Sequence, residues 1–189
     1  MKHYKINEYG RSMIEMLGVL AIVGVLSVAG ISGYSKGMTK YKTNQLLDQA
    51  STIVANVRTT FANEGRYTYL NMKSAYKLKI FPEDMTKTCN PNSYFNWECV
   101  KNAFNGTNRL SGWSGSTFEL YMSGIPSEAC FSLIMADWNG FLTRASVMKI
   151  VGNGSQGGAS INADSLSDLA TVTNACGASD TVMVGLFFK

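Results

Sequence analysis

The carboxylate of Glu15 is the side chain of this sequence whose position most requires a chemical explanation. It lies inside the run GRSMIEMLGVLAIVGVLSVAG, residues 10–30, and no charged residue follows it from Met16 to Tyr34. An ionised carboxylate in hydrocarbon costs several kcal/mol unless it is paired or protonated. We therefore expect that Glu15 has a partner, is protonated, or reaches the lipid headgroups, unless the run does not span a membrane.

Other groups of reactive residue types give weak support for catalysis or metal binding. The acidic residues that could form pairs lie in loops or at helix edges, where solvated carboxylates are usual; they are Glu83 with Asp84 and Asp164 with Asp168. The stretch GNGSQGG lacks the Lys-Ser/Thr of a phosphate-binding loop, and no calcium-type ladder of carboxylates is present. With His3 as the single histidine, we predict no enzyme activity, no metal and no cofactor.

Composition narrows the class of protein further. The 189 residues suffice for one domain with a core, and 46% are hydrophobic against 16% charged. The net charge of +4 comes from scattered basic residues, which argues against nucleic-acid binding. The four cysteines, Cys89, Cys99, Cys130 and Cys176, lack CxxC spacing and predict two disulfides in an oxidising compartment, with three pairings open. Four free thiols in a cytosolic protein are the alternative.

The apolar run is long enough to span a membrane. Residues 12–35 as a helix cover the roughly 30 Å of hydrocarbon, and Lys2, Lys5 and Arg11 against Glu8 keep the N-terminus cytoplasmic. A cleaved signal peptide would be shorter. Small residues recur at every third position and spiral round the helix, which would allow close packing among many helices; they are Gly18, Ala21, Gly24, Ser27, Gly30 and Gly33.

The helical pattern continues beyond Lys36. An apolar stripe recurs at steps of three and four, formed by Leu47, Ala50, Ile53, Val54, Val57 and Phe61. Gly65 is a candidate helix stop, so one helix is predicted from about Ser12 to Asn63, its second half amphipathic.

A sheet is predicted to cover the apolar stripe. Residues 116–122, 145–151 and 181–188 are alternating or β-branched and aromatic-rich, as in strands. A short helix with Ser127 as its N-cap should carry Cys130. Residues 152–160 are predicted to form a surface loop, and the turn-rich residues 82–115 give weak strand signals. The fold class is therefore α+β, a long N-terminal helix on an antiparallel sheet.

The stretch GRSMIEMLGVLAIVGVLSV resembles the class III signal of type IV pilins. In that family a prepilin peptidase of the inner membrane cuts after the glycine and methylates the new N-terminus. The resemblance implies cleavage between Gly10 and Arg11 and N-methylation of Arg11. It also identifies Glu15 as the family's helix glutamate and Gly24 as a glycine common in these helices.

The rest of the chain resembles the head of a type IVb pilin. FPEDM at 81–85, NAFNGTNRLSGWSGSTFELYMSGIPSEAC at 102–130 and the late Cys176 carry this similarity. In such heads a disulfide frames a variable D-region, which implies a Cys130–Cys176 bridge and a D-region of 130–176. On this resemblance we prefer that pair together with Cys89–Cys99.

The resemblance implies a type IV pilin fold and a structural function. Residues 1–10 would be the leader, 11–35 the transmembrane and assembly helix, and 36–189 the head with the second half of the helix. The subunit would leave the inner membrane for a homo-oligomeric extracellular filament that serves adhesion, aggregation, motility or conjugation. Its partners would be membrane lipid, the prepilin peptidase, the assembly machinery and minor pilins.

The alternatives are a minor pilin, a type II secretion pseudopilin, or a signal-anchored periplasmic binding domain that never polymerises.

Cleavage after Gly10 would also explain Glu15. It creates an α-amine four residues away, and in a helical array a neighbour's amine could meet the carboxylate. Because an unpaired charge in the apolar core of a filament is costly, we expect this pairing to select the stagger between subunits.

Overall fold

The structure is a computed structural model that describes residues 13–90, 97–113, 115–151 and 154–189. The chain divides into two compact units, Met1–Thr39 and Lys40–Lys189, and the second is called the head here. The leader, the cleavage site at Gly10 and Arg11, and the expected helix start at Ser12 lie outside the described residues.

Five helices and five strands make up the described chain. The helices are α1 (Met13–Thr60), α2 (Met72–Lys77), α3 (Glu83–Thr86), α4 (Ser127–Ile134) and α5 (Leu169–Cys176). The strands are β1 (Asn108–Trp113), β2 (Thr117–Pro126), β3 (Leu142–Val151), β4 (Gly154–Asn162) and β5 (Thr181–Phe188). The α+β class with a long N-terminal helix is confirmed.

The strands form one antiparallel sheet in the order β1-β2-β5-β3-β4. Register places one row of apolar side chains across all five strands, and these are Leu110, Leu120, Leu186, Ala145 and Ile161. All five side chains are buried. Because side chains alternate between the two faces of a strand, this row identifies the inner face of the sheet.

The part of α1 within the head has an amphipathic pattern. Leu46, Ala50, Ile53 and Val57 are fully buried, at the steps of three and four expected for one helix face. Leu47, predicted to belong to this stripe, is only half-buried. Leu46 lies one turn before Ala50 on the buried face, whereas Leu47 lies at the edge of that face.

The end of α1 lies three residues before the predicted stop. The helix ends at Thr60, and Phe61 remains buried in the turn that follows. The Gly65 N–H donates to the Phe61 carbonyl at 3.2 Å, and Gly65 has φ +60°. Glycine adopts this left-handed conformation without a Cβ penalty, so its stop role is retained although the last turn is not α-helical.

The prediction of a surface loop at residues 152–160 is wrong for its described part, because β4 begins at Gly154. β4 pairs with β3, with a register shift between Met148 and Lys149. A Cβ at Gly158 would lie 2.8 Å from Met148 Cγ and 2.9 Å from the Val147 carbonyl. Glycine is therefore used here for close strand approach and a bulge, and loop-like composition misled the prediction.

The start of α4 also differs from the prediction. Pro126 is the N-cap and has no side-chain cap, whereas Ser127 is the first helical residue. The Ser127 hydroxyl donates instead to the Ser179 carbonyl at 3.0 Å. This bond joins the start of α4 to the segment that precedes β5.

Candidate assembly helix and head surfaces

The first unit contains an apolar helix whose side chains are not covered by any of the described residues. Every residue from 13 to 37 is exposed, with Met13 at 86% and Val25 at 72%. An 18-residue window of α1 has a mean hydropathy of 2.3 and none of it is buried. Within the described residues this is the one helix that is long and apolar enough to cross a membrane. A surface of this kind requires lipid or other apolar helices around it.

Glu15 lies in the first turn of the described helix and is exposed. Its neighbours Ile14, Met16 and Leu17 are exposed apolar residues. The structure thus places one carboxylate on an otherwise apolar stretch. Gly10 and Arg11, which would supply its positive partner after cleavage, are outside the described residues.

The small residues of the apolar run leave open space on the helix surface. A Cβ added at Gly18, Gly24, Gly30 or Gly33 would meet no other described group within 4 Å, so the described part of the chain leaves that space open. Ala21 is exposed as well. The Ser27 hydroxyl donates to the Val23 carbonyl at 2.7 Å, which satisfies the hydroxyl without water.

Two disulfides fasten the head. Cys130 of α4 is bonded to Cys176 of α5 across a sequence separation of 46, with their Cα atoms 5.8 Å apart. Cys89 is bonded to Cys99 across a separation of 10. These are the two pairs that the resemblance led us to prefer. Cys130 and Cys176 are both buried, which places their bridge in the core.

Glu83 and Asp84 lie in the first turn of α3, and Asp84 of this acidic pair binds α1 through its carboxylate. The Gln49 side chain donates to Asp84 Oδ2 at 2.5 Å and accepts from the Ala103 N–H at 3.0 Å. Gln45 donates to the same carboxylate oxygen at 3.0 Å. Gln49 is buried although it is polar; its spacing from Leu46 and Ile53 was the signal that it lies on the inward face.

Sequence reasoning missed the buried amide of Asn102. Its Nδ2 donates to the Ser123 carbonyl at 2.9 Å, and its Oδ1 accepts from the N–H groups of Phe104 and Gly106 at 3.0 Å. A Cβ at Gly106 would lie 1.7 Å from the Ser123 oxygen. The Asn-Gly turn at 105–106 therefore packs directly against β2, and only glycine fits there.

The two residues of the second acidic pair, Asp164 and Asp168, have different structural positions. Asp168 is the N-cap of α5, where its carboxylate accepts from the N–H groups of Ala170 and Thr171 and from the Thr171 hydroxyl. The Thr171 hydroxyl lowers the pKa of Asp168 most; desolvation opposes it, and the two backbone donors lower the pKa further. Asp164 lies in a 3₁₀ turn at 163–165.

Replacing Asp168 with asparagine should make thermal unfolding less sensitive to acid. Because the pKa is lowered in the folded state, the ionised carboxylate stabilises the head above its ordinary pKa of 3.8, and this stabilisation is lost as pH falls through the lowered value. We expect the wild type to melt a few degrees above Asp168→Asn at pH 7 and level with it near pH 2. Asp180→Asn is the control; an equal difference at both pH values would contradict the assignment.

The outer face of the sheet carries an aromatic cluster around Phe187. Trp113 and Tyr121 meet the Phe187 ring edge-on at centroid distances of 6.3 and 5.9 Å, and the Arg144 guanidinium lies 3.9 Å from its centroid. Phe187 is only 5% exposed although it faces away from the core. These contacts replace the cover that the inner face receives from α1.

Glu119 and Tyr121 add polar groups beside the aromatic cluster. The Glu119 carboxylate, 4% exposed, accepts from the Ser111 hydroxyl at 2.6 Å. Burial raises the pKa of Tyr121 and the Glu119 charge raises it further, whereas the nearby Ser146 hydroxyl and the charges of Arg144 and Arg109 lower it. The Tyr121 hydroxyl therefore remains protonated at neutral pH. Among the described residues, no group of three or more His, Cys, Asp or Glu could hold a metal ion.

Comparison with known proteins finds one matching family and a similar solved structure. A family model described as PilS N terminal matches residues 40–186, and no curated protein matches the chain. The solved structures include a similar one, the crystal structure of TcpA, a type IV pilin from Vibrio cholerae El Tor biotype. Its identity is 14% and its TM-score 0.49, with 79% of this chain and 99% of that chain covered. Because the family model spans well over half of the sequence, the chain belongs to the PilS N-terminal family.

Proposed function

We propose that the protein is a structural, non-enzymatic subunit of a type IVb-like pilus. The observation that carries this proposal is the exposure of every residue from 13 to 37 on α1. Such a helix is stable in a bilayer before assembly and among like helices afterwards. Family membership supports the pilin assignment, and the apolar helix supplies the surface through which copies would associate.

Assembly requires that neighbouring subunits adopt one axial offset, or stagger, along the filament. Glu15 provides a means of selecting that offset. Cleavage after Gly10 would leave a positive N-terminus on Arg11, one helical turn before Glu15. When an incoming subunit brings its amine to a neighbour's carboxylate, both charges are neutralised in the apolar core. Any other stagger leaves them unpaired at a cost of several kcal/mol.

The proposed route runs from the inner membrane to the cell surface. The basic residues before the apolar run hold the N-terminus in the cytoplasm, where a prepilin peptidase would cut and methylate the chain. The assembly machinery would then extract the subunit into the filament, with minor pilins as further partners. The two disulfides suit a head that is exposed outside the cytoplasm.

The intact mass of the protein recovered from sheared surface material tests this proposal. We expect the mass of residues 11–189 with one added methyl group and with the hydrogens lost that two disulfides require. Treatment with a reductant should restore those hydrogens, which gives an internal control for the bridges.

The same measurement separates the alternatives. Full-length chain confined to the membrane fraction would indicate a signal-anchored periplasmic domain and overturn the proposal. Cleaved subunit in the membrane, with trace amounts in filaments built from another pilin, would indicate a minor pilin or a type II secretion pseudopilin. Filament composed mainly of this chain would assign it as the major subunit.

A further inference from the structure

A groove on the outer face of the sheet has the composition of a small-molecule site. It encloses about 410 Å³ between β1, β2, β3 and β5, within the range of about 300–1,000 Å³ that is usual for ligand sites. Its lining combines apolar and polar groups, and the residues that matter here are Arg109, Trp113, Glu119, Tyr121, Met148 and Met183. The groove lies wholly within the head.

The first feature that defines a ligand is the flat apolar surface at one end of the groove. The side chain of Trp113 is 52% exposed, and its edge-on contact with Phe187 holds the indole in place. A fixed, exposed indole presents a π face and one N–H donor. It therefore suits a ligand with a flat C–H face and polar groups on its rim.

The second feature is the set of hydrogen-bonding groups beside that ring. Glu119 accepts, Arg109 donates, and Tyr121, protonated at neutral pH, does both. Glu119 is held in place by burial and by the Ser111 hydroxyl, so its carboxylate loses little conformational entropy on binding. Such a mixed set can bind a ligand that carries several adjacent hydroxyl groups.

An aromatic groove of this kind could bind either an organic cation or a neutral polyhydroxylated ring, and the local charge decides between them. An organic cation would profit from Trp113, Tyr121 and Glu119. The charged side chains that line the groove, Arg109 and Glu119, cancel each other, and the Arg144 guanidinium lies nearby against the Phe187 ring. A cation therefore finds no net negative charge there, whereas a neutral polyhydroxylated ring needs none.

We propose that this groove binds a neutral pyranose unit of a saccharide, with Trp113 as the stacking surface and Glu119 and Arg109 as the hydrogen-bonding pair. The assignment rests on the head alone and does not depend on filament formation. It would give a pilin subunit a carbohydrate-recognition surface on the sheet itself, separate from the Cys130–Cys176 region.

Binding can be measured on the full-length protein in a polyoxyethylene detergent, because sugar-based detergents would compete for the groove. The probes are the methyl pyranosides of glucose, galactose and N-acetylglucosamine, and the methods are saturation-transfer NMR and isothermal titration calorimetry. At least one probe should bind, with saturation strongest on the C–H protons of one ring face. Trp113→Ala should weaken that binding by at least about tenfold.

Matched variants separate loss of the site from loss of the fold. Arg109 is exposed, so Arg109→Ala should weaken binding several-fold with an unchanged melting temperature, even if Trp113→Ala or Glu119→Gln unfolds. Tyr69→Ala removes another exposed aromatic of the head and should leave binding unchanged. Absence of binding by all three probes, wild-type affinity in Arg109→Ala, or tighter binding of tetramethylammonium than of any sugar would overturn the proposal.

Discussion

Filament growth is expected to fail when Glu15 is replaced by alanine, while membrane insertion and cleavage after Gly10 continue. Insertion depends on the length of the apolar run and on its basic flank, neither of which changes. Growth should be lost because an incoming subunit no longer finds a carboxylate for its N-terminal amine, which then enters the apolar core unpaired. The measurement is the ratio of sheared filament to cleaved, membrane-held subunit.

Glu15→Gln distinguishes negative charge from shape and hydrogen bonding. A defect as severe as that of Glu15→Ala would implicate the charge itself, because glutamine retains the size and an acceptor oxygen. Co-expression with the wild-type chain is a further control, since pairing acts between subunits and the variant could still enter as a neighbour. Abundant filaments from Glu15→Ala with normal cleavage would show that the carboxylate has no role in assembly.

Replacing Cys130 or Cys176 with serine is expected to leave little intact subunit. By chain entropy the bridge across 46 residues contributes about 4 kcal/mol, a large share of the roughly 5–15 kcal/mol of a typical domain. Both positions are buried, so serine also places a hydroxyl in the core. Subunit abundance, protease resistance and the urea midpoint of the detergent-solubilised protein would each report the loss.

Cys89→Ser is the matched control for the core bridge. Its loop is shorter and the expected contribution smaller, about 3 kcal/mol, and both its cysteines are only half-buried. We expect a milder drop in the urea midpoint and some surviving filament. Wild-type amounts of filament from Cys130→Ser would contradict the assignment of the core bridge as a main source of stability.

The spacing of apolar residues correctly predicted the elements whose buried positions repeat at strand or helix spacing. Residues 181–188 alternate or run apolar and form β5 as predicted, because a central strand needs apolar residues on both faces. The strand at 116–122 was recognised from Phe118, Leu120 and Met122, although β2 extends further, to Pro126. The long helix was equally clear, because a continuous apolar run followed by apolar residues at steps of three and four is typical of a helix.

The features that sequence could not supply depend on contacts distant along the chain. Nothing local distinguishes a glycine that permits strand approach, such as Gly158, from one in a loop. Helix spacing indicates that Gln49 faces inward, but its partners Asp84 and Ala103 are distant in sequence. The burial of Asn102 is possible only because its amide is satisfied, in part by the distant Ser123 carbonyl. The outer-face groove likewise exists only once register brings Trp113 near Phe187.

Strand order has a consequence for when the head can fold. β5 follows the other four strands in sequence but lies between β2 and β3, so β1–β2 and β3–β4 share no backbone pairing until β5 is present. Cys176 precedes β5, and its bridge to Cys130 can form before the sheet is joined. During folding the head must therefore remain open until β5 is available, with two hairpins whose edges await that single strand. Truncation or blockage of that strand would divide the sheet at its centre rather than trim its edge.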